Sequence, residues 1–212
     1  SDTHGFHNQL TDLDFQGVDM AIFAGDESNQ MNPSMNELEA VDFLKWYNNL
    51  NVKYKIFLAG NHSTAIEAGL INPKHYENII YLDHESVCIE GINIFGSPYT
   101  PQFGSWAYMR ARGKLDPYWQ KIPENTDILV VHGPPKGILD LSYNRDGVLE
   151  YCGDKELYNH VLRVQPKHMI FGHIHNFQDY YNSNTKIIDG LRTIFHNVSC
   201  VTDRKYDLGL TS

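Results

Sequence analysis

The chain has 212 residues, which is enough for one domain with its own hydrophobic core. Hydrophobic residues make up 42% and charged residues 20% of the sequence, proportions that exclude a disordered or fibrous protein. Asp and Glu number 26 against 17 Lys and Arg, and the net charge of −9 makes binding of long nucleic acid unfavourable. We therefore predict a single domain over residues 1–212 with no long nucleic acid partner. We predict no membrane partner either, because no apolar run approaches the ~20 residues of a membrane span.

The first part of the chain predicts a strand, a helix and a second strand. Met20–Ala24 and Tyr54–Ala59 are short runs rich in large apolar residues, as in buried strands. Between them, Ser34 and Glu37 fit an S-x-x-E capping box at the start of a helix. The apolar residues of that helix follow at helical spacing: Ala40, Phe43, Leu44 and Tyr47.

The middle of the chain predicts a hairpin followed by a strand–helix–strand unit. Val87–Ile89 and Ile92–Phe95 flank the turn dipeptide Glu90-Gly91, a pattern typical of a β-hairpin. Ile128–Val131 and Met169–Phe171 are apolar runs of strand length. The helix predicted between them has apolar residues at positions i, i+4 and i+7: Leu157, Val161 and Val164.

The last predicted element is a second hairpin. Thr185–Ile188 and Thr193–Val198 flank Asp189-Gly190. Strand–helix–strand units together with hairpins are typical of an α/β fold with mixed sheets. The sequence contains no internal repeat, low-complexity segment or Gly/Ser linker that would divide it further.

Histidine and cysteine differ sharply in number. The sequence has 11 histidines but 3 cysteines, and Cys88, Cys152 and Cys200 are too far apart for a C-x-x-C metal or redox motif. We expect these cysteines to be reduced and the protein to be cytoplasmic.

Most of the predicted strands end in the same kind of sequence, with a glycine beside a residue that can bind a metal ion. Glycine at such a junction lets the backbone turn sharply or approach a ligand closely. Because ligands of open α/β sheets gather beyond the carboxyl ends of the strands, we expect these segments to converge. They are Gly25-Asp26, Gly60-Asn61-His62, His132-Gly133 and Gly172-His173-Ile174-His175, together with the opening Ser1-Asp2-Thr3-His4-Gly5.

The residue types in these segments indicate a metal site. Imidazole suits Mn, Fe, Zn and Ni, while carboxylate and amide oxygens suit harder divalent ions. Two Asp, one Asn and five His are too many for one tetrahedral ion. They suit two ions ~3.5–4 Å apart, an arrangement that stabilises the attacking and leaving oxygens of a displacement at phosphorus.

In this order, the motifs resemble the five sequence blocks of the calcineurin-like metallophosphoesterases. A finer likeness over residues 94–178 is to the metallophosphoesterase-domain subfamily, whose studied members are class III phosphodiesterases acting on cyclic nucleotides. It rests on segments such as Gly96-Ser97-Pro98, His132-Gly133-Pro134-Pro135 and Gln165-Pro166-Lys167. The resemblance implies a four-layer αββα sandwich of two mixed sheets, with a dinuclear metal site at the carboxyl ends of the strands.

The resemblance also implies a role for each site residue. Asp26 would bridge the two ions, and His62 would act on the phosphoryl oxygen or leaving group as general acid or electrostatic stabiliser, not as a ligand. The ligands of the first ion would be Asp2, His4 and His175. Those of the second would be Asn61, His132 and His173. A hydroxide bridging the two ions would attack phosphorus.

The sequence departs from the family pattern at two places. Ser63 follows His62 where the family usually has an acidic residue, so we expect His62 to be less easily protonated. The implied fold has an apolar strand leading into Asp2, which the sequence lacks. We expect either upstream residues that complete this strand or a first metal ligand held by a loose terminus.

We predict metal-dependent hydrolysis of a phosphoester, with a phosphodiesterase acting on small or cyclic nucleotides as the favoured form. The alternatives are a phosphomonoesterase, a nuclease for short oligonucleotides, or a non-catalytic scaffold on the same fold. Several side chains have two interpretations each: phosphate binding or a surface face for Arg110, Arg112 and Lys114, and base stacking or loop packing for Phe103, Trp106 and Tyr108. Tyr143, Asn144 and Arg145 are predicted at the mouth of the site.

Overall fold

The computed structural model describes residues 1–144, 146–176 and 181–201. Its helices are α1 (Pro33–Asn49), α2 (Thr64–Glu67), α3 (Asp116–Trp119) and α4 (Lys155–Val164). Its strands are β1 (Met20–Ala24), β2 (Tyr54–Leu58), β3 (Ile80–Tyr81), β4 (Glu85–Ile89), β5 (Ile92–Ser97), β6 (Thr100–Pro101), β7 (Met109–Arg110), β8 (Ile128–Val131), β9 (Leu141–Tyr143), β10 (Leu149–Tyr151), β11 (His168–Phe171), β12 (Thr185–Ile187) and β13 (Ile194–Asn197). None of the helices in these ranges is long and apolar enough to cross a membrane.

Two sheets form the centre of the fold. The larger has six strands in the order β12-β13-β11-β8-β5-β4, and its inner pairs are parallel while the pairs at both edges are antiparallel. The smaller has three strands in the order β1-β2-β3, paired in parallel throughout. The predicted α/β class with a mixed sheet is confirmed.

Successive side chains of a strand point to opposite faces of its sheet, so one strand can contribute to two different cores. In β8, Ile128 and Val130 belong to the core between the two sheets, whereas Leu129 and Val131 belong to the core on the outer side. α4 packs on that outer side through Leu157 and other apolar residues at helical spacing. Since burying one such aliphatic side chain contributes about 1.5–3 kcal/mol, the three cores together hold the four layers in place.

α1 covers the outer face of the smaller sheet. The predicted apolar residues Ala40, Phe43, Leu44 and Tyr47 are all buried there. The predicted start of the helix is wrong. Asn32 is the N-cap, because its side chain accepts hydrogen bonds from the backbone N–H groups of Ser34 and Met35. Pro33 then takes the first helical position, where its lack of an N–H costs nothing.

The first predicted hairpin is confirmed and the second is longer than predicted. β4 and β5 join across Glu90 and Gly91, both with positive φ, 48° and 82°. β12 and β13 pair antiparallel with Ile187 opposite Ile194. The connection is therefore residues 188–193, one residue longer at each end than residues 189–192, which separate the two predicted strands.

Candidate metal centre

Side-chain donor atoms from separate segments come together beyond the carboxyl ends of β1, β2, β8 and β11. One group of mutually adjacent donor atoms, all within 4.8 Å of one another, comes from Asp2, His4 and His175. A second group under the same distance limit comes from Asp26, His132 and His173. The convergence expected from the sequence is therefore present among the described residues. A third group under the same distance limit, from His4, Asp26 and His62, connects the other two.

Asp26 lies between the two groups. Its Oδ2 is 3.3 Å from His132 Nε2 and 3.9 Å from His4 Nε2. Asn61 completes the second group, since its Oδ1 is 2.9 Å from His132 Nε2. One carboxylate is thus within reach of both sets of donors, as a bridging ligand must be.

Four of these residues have left-handed backbone conformations. The φ angles are 58° at Asp2, 45° at His4, 63° at Asp26 and 70° at His173. Each such residue costs of order 1–3 kcal/mol, and such strain concentrates at functional sites. The left-handed backbone at these four residues therefore directs their side chains toward the site.

The first segment is firmly held. Asp2 is fully buried, and its N–H donates to the Gly25 carbonyl at 2.8 Å, while His4 N–H donates to the Asp26 carbonyl at 3.1 Å. On the other side, Cys200 N–H donates to the Ser1 carbonyl at 3.2 Å. The expectation of a loosely held first ligand is wrong, because residues 1–5 pair with the chain that follows β1.

Two glycines are required by the close approach of the donors. A Cβ on Gly25 would lie 2.5 Å from His132 Nδ1, and one on Gly60 would lie 2.7 Å from His132 Cε1. Gly25 also has φ of +100°, which L side chains rarely adopt. The third glycine of this kind, Gly172, packs against the Asp2 carboxylate. At Gly25, Gly60 and Gly172, the absence of a side chain therefore leaves room for the proposed metal-binding residues.

Backbone carbonyls orient two of the imidazoles. His132 Nδ1 lies 2.7 Å from the Ala24 carbonyl, and His4 Nδ1 lies 3.2 Å from the Ser28 carbonyl. A carbonyl can only accept a hydrogen bond, so in both rings Nδ1 carries a proton and donates it, and Nε2 faces the other side chains of the site. His4 Nε2 faces His175 Nε2 at 3.2 Å.

Burial and the neighbouring charges set the protonation of the site. Burial lowers the pKa of His4 to about 4 and of His173 to about 3, which keeps both rings in the neutral form that binds metals. Burial acts against protonation of His132 as well, but the Asp26 carboxylate outweighs it and raises its pKa to about 8. Burial opposes ionisation of Asp2 and Asp26, yet the surrounding histidines hold both pKa values below the usual range.

These observations fit metal ions. The half-buried imidazole of His175 facing the buried one of His4, and two buried carboxylates with lowered pKa values, form a donor set that bound cations would stabilise. The mixture of nitrogen and oxygen donors suits Mn, Fe, Zn or Ni. The residues present therefore fit the pair of ions implied by the resemblance.

His62 sits at the edge of the donor groups. A ring nitrogen of His62 lies within 4.8 Å of donor atoms of His4 and Asp26, and its ring packs against Trp106 with centroids 4.1 Å apart. Its backbone N–H donates to Asp26 Oδ1 at 2.7 Å, and its carbonyl accepts from Asn36 Nδ2 at 2.5 Å. Burial lowers the pKa of His62. The expectation that Ser63 makes this ring less easily protonated than an acidic residue would stays a prediction.

Ser63 does not orient the ring of His62. Its hydroxyl donates to Glu27 Oε2 at 2.6 Å and accepts from the Gly60 N–H at 2.8 Å. Glu27 is fully buried, and burial raises its pKa to about 7. Sequence reasoning missed Glu27, although a carboxylate directly after Gly25-Asp26 at a strand end was a signal for it.

Residues of the 101–112 and 142–153 segments line a cavity of about 300 Å³ next to His173. Phe103 packs against the His173 ring with centroids 5.3 Å apart, and Arg112 and Tyr143 also line the cavity. Arg110 lies elsewhere, with its guanidinium 4.6 Å from the Tyr99 ring centroid and beside Glu67. Of the predicted mouth residues, Arg145 lies outside the described residues.

Comparison with known proteins places these features in a family. A family model described as calcineurin-like phosphoesterase matches residues 1–177. The chain is 36% identical over 201 residues to metallophosphoesterase domain-containing protein 1 of Homo sapiens, covering 82% of this chain and 59% of that protein. It is 32% identical over 205 residues to the UPF0046 protein K07C11.7 of Caenorhabditis elegans, covering 89% of this chain and 67% of that one. The chain thus spans about 59% of the length of the human relative.

A solved structure shares the fold. Phosphopantetheinyl hydrolase (PptH) from Mycobacterium tuberculosis aligns with a TM-score of 0.54 over 92% of this chain and 86% of that chain. The sequences are 13% identical, so the likeness concerns the fold alone.

Proposed function

The chain belongs to the calcineurin-like phosphoesterase family, and from that premise we propose that it is a phosphodiesterase acting on small nucleotides, cyclic nucleotides among them. Family membership supports metal-dependent hydrolysis of phosphoesters as the general chemistry. The observation that carries the proposal is the position of the Asp26 carboxylate between two groups of donors, 3.3 Å from His132 Nε2 and 3.9 Å from His4 Nε2.

We assign the proposed ligands of two transition-metal ions, drawn from Mn, Fe, Zn and Ni, as follows. Asp26 would be shared by both ions. The other ligands are Asp2, His4 and His175 for the first ion and Asn61, His132 and His173 for the second. Such a pair, when bound, supplies Lewis-acid stabilisation of the phosphoryl charge and a nucleophile at neutral pH.

The chain's own residues supply orientation and proton transfer. The Ala24 and Ser28 carbonyls hold Nε2 of His132 and His4 toward the centre of the site. In this proposal, His62 protonates the leaving oxygen, and its packing on Trp106 and its backbone hydrogen bond to Asp26 support that role. Because burial lowers its pKa, its proton is transferred readily once the ring is protonated.

The cavity beside His173 favours a diester over a simple monoester. Its volume of about 300 Å³ is at the lower end of small-ligand pockets, and it opens directly next to a proposed metal ligand. Phe103 and Tyr143 offer ring faces, while Arg112 and Glu150 offer a cation and an anion. These groups suit an organic substituent with an aromatic face and polar edges, such as a nucleoside.

The test compares substrates on the metal-loaded protein. With Mn²⁺, bis(p-nitrophenyl) phosphate should be turned over faster than p-nitrophenyl phosphate, and 3′,5′- or 2′,3′-cyclic nucleotides should be hydrolysed to monophosphates. His132→Ala should abolish activity, whereas His168→Ala, on β11 but outside the site, should retain it. A preference for the monoester, or for short oligonucleotides, would replace this proposal by the corresponding alternative. Absence of turnover and of bound metal would indicate a scaffold.

A further inference from the structure

The loop after β2, Gly60–Ser63, carries the proposed catalytic histidine and an amide ligand, and it is held from the end of the neighbouring strand. The backbone N–H of His62 donates to Asp26 Oδ1 at 2.7 Å. The hydroxyl of the next residue, Ser63, donates to Glu27 Oε2 at 2.6 Å. Asp26 and Glu27, which follow β1, therefore accept hydrogen bonds from His62 and Ser63, which follow β2.

The Ser63 hydroxyl also closes the loop on itself. It accepts a hydrogen bond from the Gly60 N–H at 2.8 Å while donating its own proton to Glu27. The Ser63 side chain is fully buried, so water does not compete for either bond. One oxygen atom thus links the start of the loop, its end and the neighbouring segment.

The burial of the Glu27 carboxyl group is energetically unfavourable. It is fully buried, and its Oε1 has no hydrogen-bond partner among the described residues. A buried carboxylate with an unsatisfied oxygen costs free energy that an apolar residue of similar size would not cost. Overall stability therefore gives no reason for Glu27, whereas its hydrogen bond with Ser63 gives a local one.

We propose that Glu27 and Ser63 are a pair of positioning residues that fix the loop Gly60–Ser63, and with it Asn61 and His62, against the metal centre. The inference deepens the proposed function and rests on it for its catalytic consequence. Neither residue touches substrate in this account. Each acts through the loop, Glu27 by accepting the Ser63 proton and Ser63 by accepting the Gly60 N–H.

The activity test uses alanine and conservative variants of both residues. Glu27→Ala and Ser63→Ala should each lower kcat by about 10-fold or more with little change in KM, as losses of outer-shell contacts at metal sites do. Glu27→Gln and Ser63→Thr keep an acceptor and a donor for the hydrogen bond, and they should retain kcat within a few-fold. Because the two residues act as one unit, the double alanine variant should be no worse than the poorer single variant.

Two readouts do not depend on turnover. In the metal-free protein, hydrogen–deuterium exchange of the peptide spanning residues 60–66 should speed up in both alanine variants and stay slow in the conservative ones. In Mn²⁺ titrations by calorimetry, the alanine variants should bind the more weakly held ion about 10-fold less tightly. If the wild-type protein hydrolyses no phosphoester, the proposed function fails, and these two readouts still decide the role of the pair.

The matched control is Thr193→Val, which removes another buried hydroxyl, one that donates to the Pro166 carbonyl at 2.7 Å. It should lower the melting temperature without changing kcat or exchange at residues 60–66. The inference is overturned if the alanine variants of Glu27 and Ser63 leave loop exchange and Mn²⁺ affinity as in the wild type. It is also overturned if their losses multiply in the double variant, which would make the two residues independent.

Discussion

Asp26 is the side chain that makes the two donor groups a single site. It comes directly after Gly25 at the end of β1, and positive φ at both residues turns its carboxylate back over the sheet edge. Its Oδ1 accepts the His62 N–H, while its Oδ2 lies nearest to His132. One oxygen is thus used to place the proposed catalytic loop, and the other faces the proposed ligands.

The role of His62 is tested by comparing how much kcat falls in the His62→Gln variant for two substrates with different leaving groups. His62→Gln should lower kcat about 10²–10⁴-fold for a cyclic nucleotide, whose alkoxide leaving group needs a proton. The loss should be much smaller for bis(p-nitrophenyl) phosphate, because nitrophenolate leaves without one. Metal content should not change, since His62 is not a ligand in this account.

His75→Gln is the matched control for that experiment, because His75 is exposed and lies outside the site. It should behave as the wild type on both substrates. Equal losses on the two substrates would assign His62 to electrostatic stabilisation, and an unchanged kcat would contradict any catalytic role.

At the residue scale, sequence reasoning found most of the side chains beside the strand-end glycines, but it missed Glu27 among them and Asn36, which reaches the site from a helix. Asp26, His132 and His173 could be predicted because glycine and a metal-binding residue adjoin an apolar run. Asn36 could not, since it reaches the His62 carbonyl from a buried position in α1. The sequence singled out Trp106 but could not predict its contact with His62, because the contacts of a loop residue depend on the course of the loop, which local sequence patterns do not determine.

At the scale of elements, the start of α1 shows how two plausible caps compete. The sequence fits Ser34 with Glu37, but the structure uses Asn32 followed by Pro33. Both patterns satisfy the free N–H groups of the first turn. Pro33 decides between them. Proline fits the first helical position, and this favours a cap at the residue immediately before it, Asn32.

Unfolding measurements can check this assignment. Asn32→Ala should lower the free energy of unfolding by about 1 kcal/mol, the usual cost of losing an N-cap side chain. Ser34→Ala should change it by less than about 0.5 kcal/mol, since Ser34 contributes a backbone N–H and not a capping oxygen. The reverse order in urea denaturation would restore the capping box predicted from the sequence.

The whole molecule could be predicted in its layers but not in its strand order. Apolar alternation identifies two-faced strands such as β8, and helical spacing identifies the helices that cover them. Which strands are neighbours, for example β5 beside β8, depends on contacts distant in the sequence. The four layers were implied by the family resemblance, whereas the strand order was predicted neither by the resemblance nor by local patterns, which carry no information about it.

The stability of the whole molecule should depend on pH through His84. This ring packs beside Phe95 and Tyr99, its Nδ1 lies 3.0 Å from Ser97 Oγ, and burial, with a smaller effect of Lys121, lowers its pKa to about 4. The unfolded chain binds a proton near pH 6.5 and the folded chain near pH 4, so folding loses stability as pH falls between these values. A full shift would correspond to about 3 kcal/mol, and for a half-buried ring we expect about 1–2 kcal/mol.

The comparison variant is His84→Asn, because asparagine tolerates the left-handed backbone at this position, where φ is 57°. Urea unfolding of both proteins in the presence of a chelator, at pH 7.5 and pH 4, gives the difference. The wild type should lose about 1–2 kcal/mol more than the variant over this range. Equal losses would show that His84 is protonated as easily in the folded as in the unfolded chain.

The most direct test of the account is the metal stoichiometry of the wild type and three single variants, measured by elemental analysis after loading with Mn²⁺ and removal of free ion. We predict about two ions per chain in the wild type, about one in His132→Ala, about one in His175→Ala, and a loss of both in Asp26→Ala. A wild-type protein with one ion or none would contradict a paired site. So would an Asp26→Ala variant that keeps two ions, because the shared carboxylate is what joins the two groups of donors.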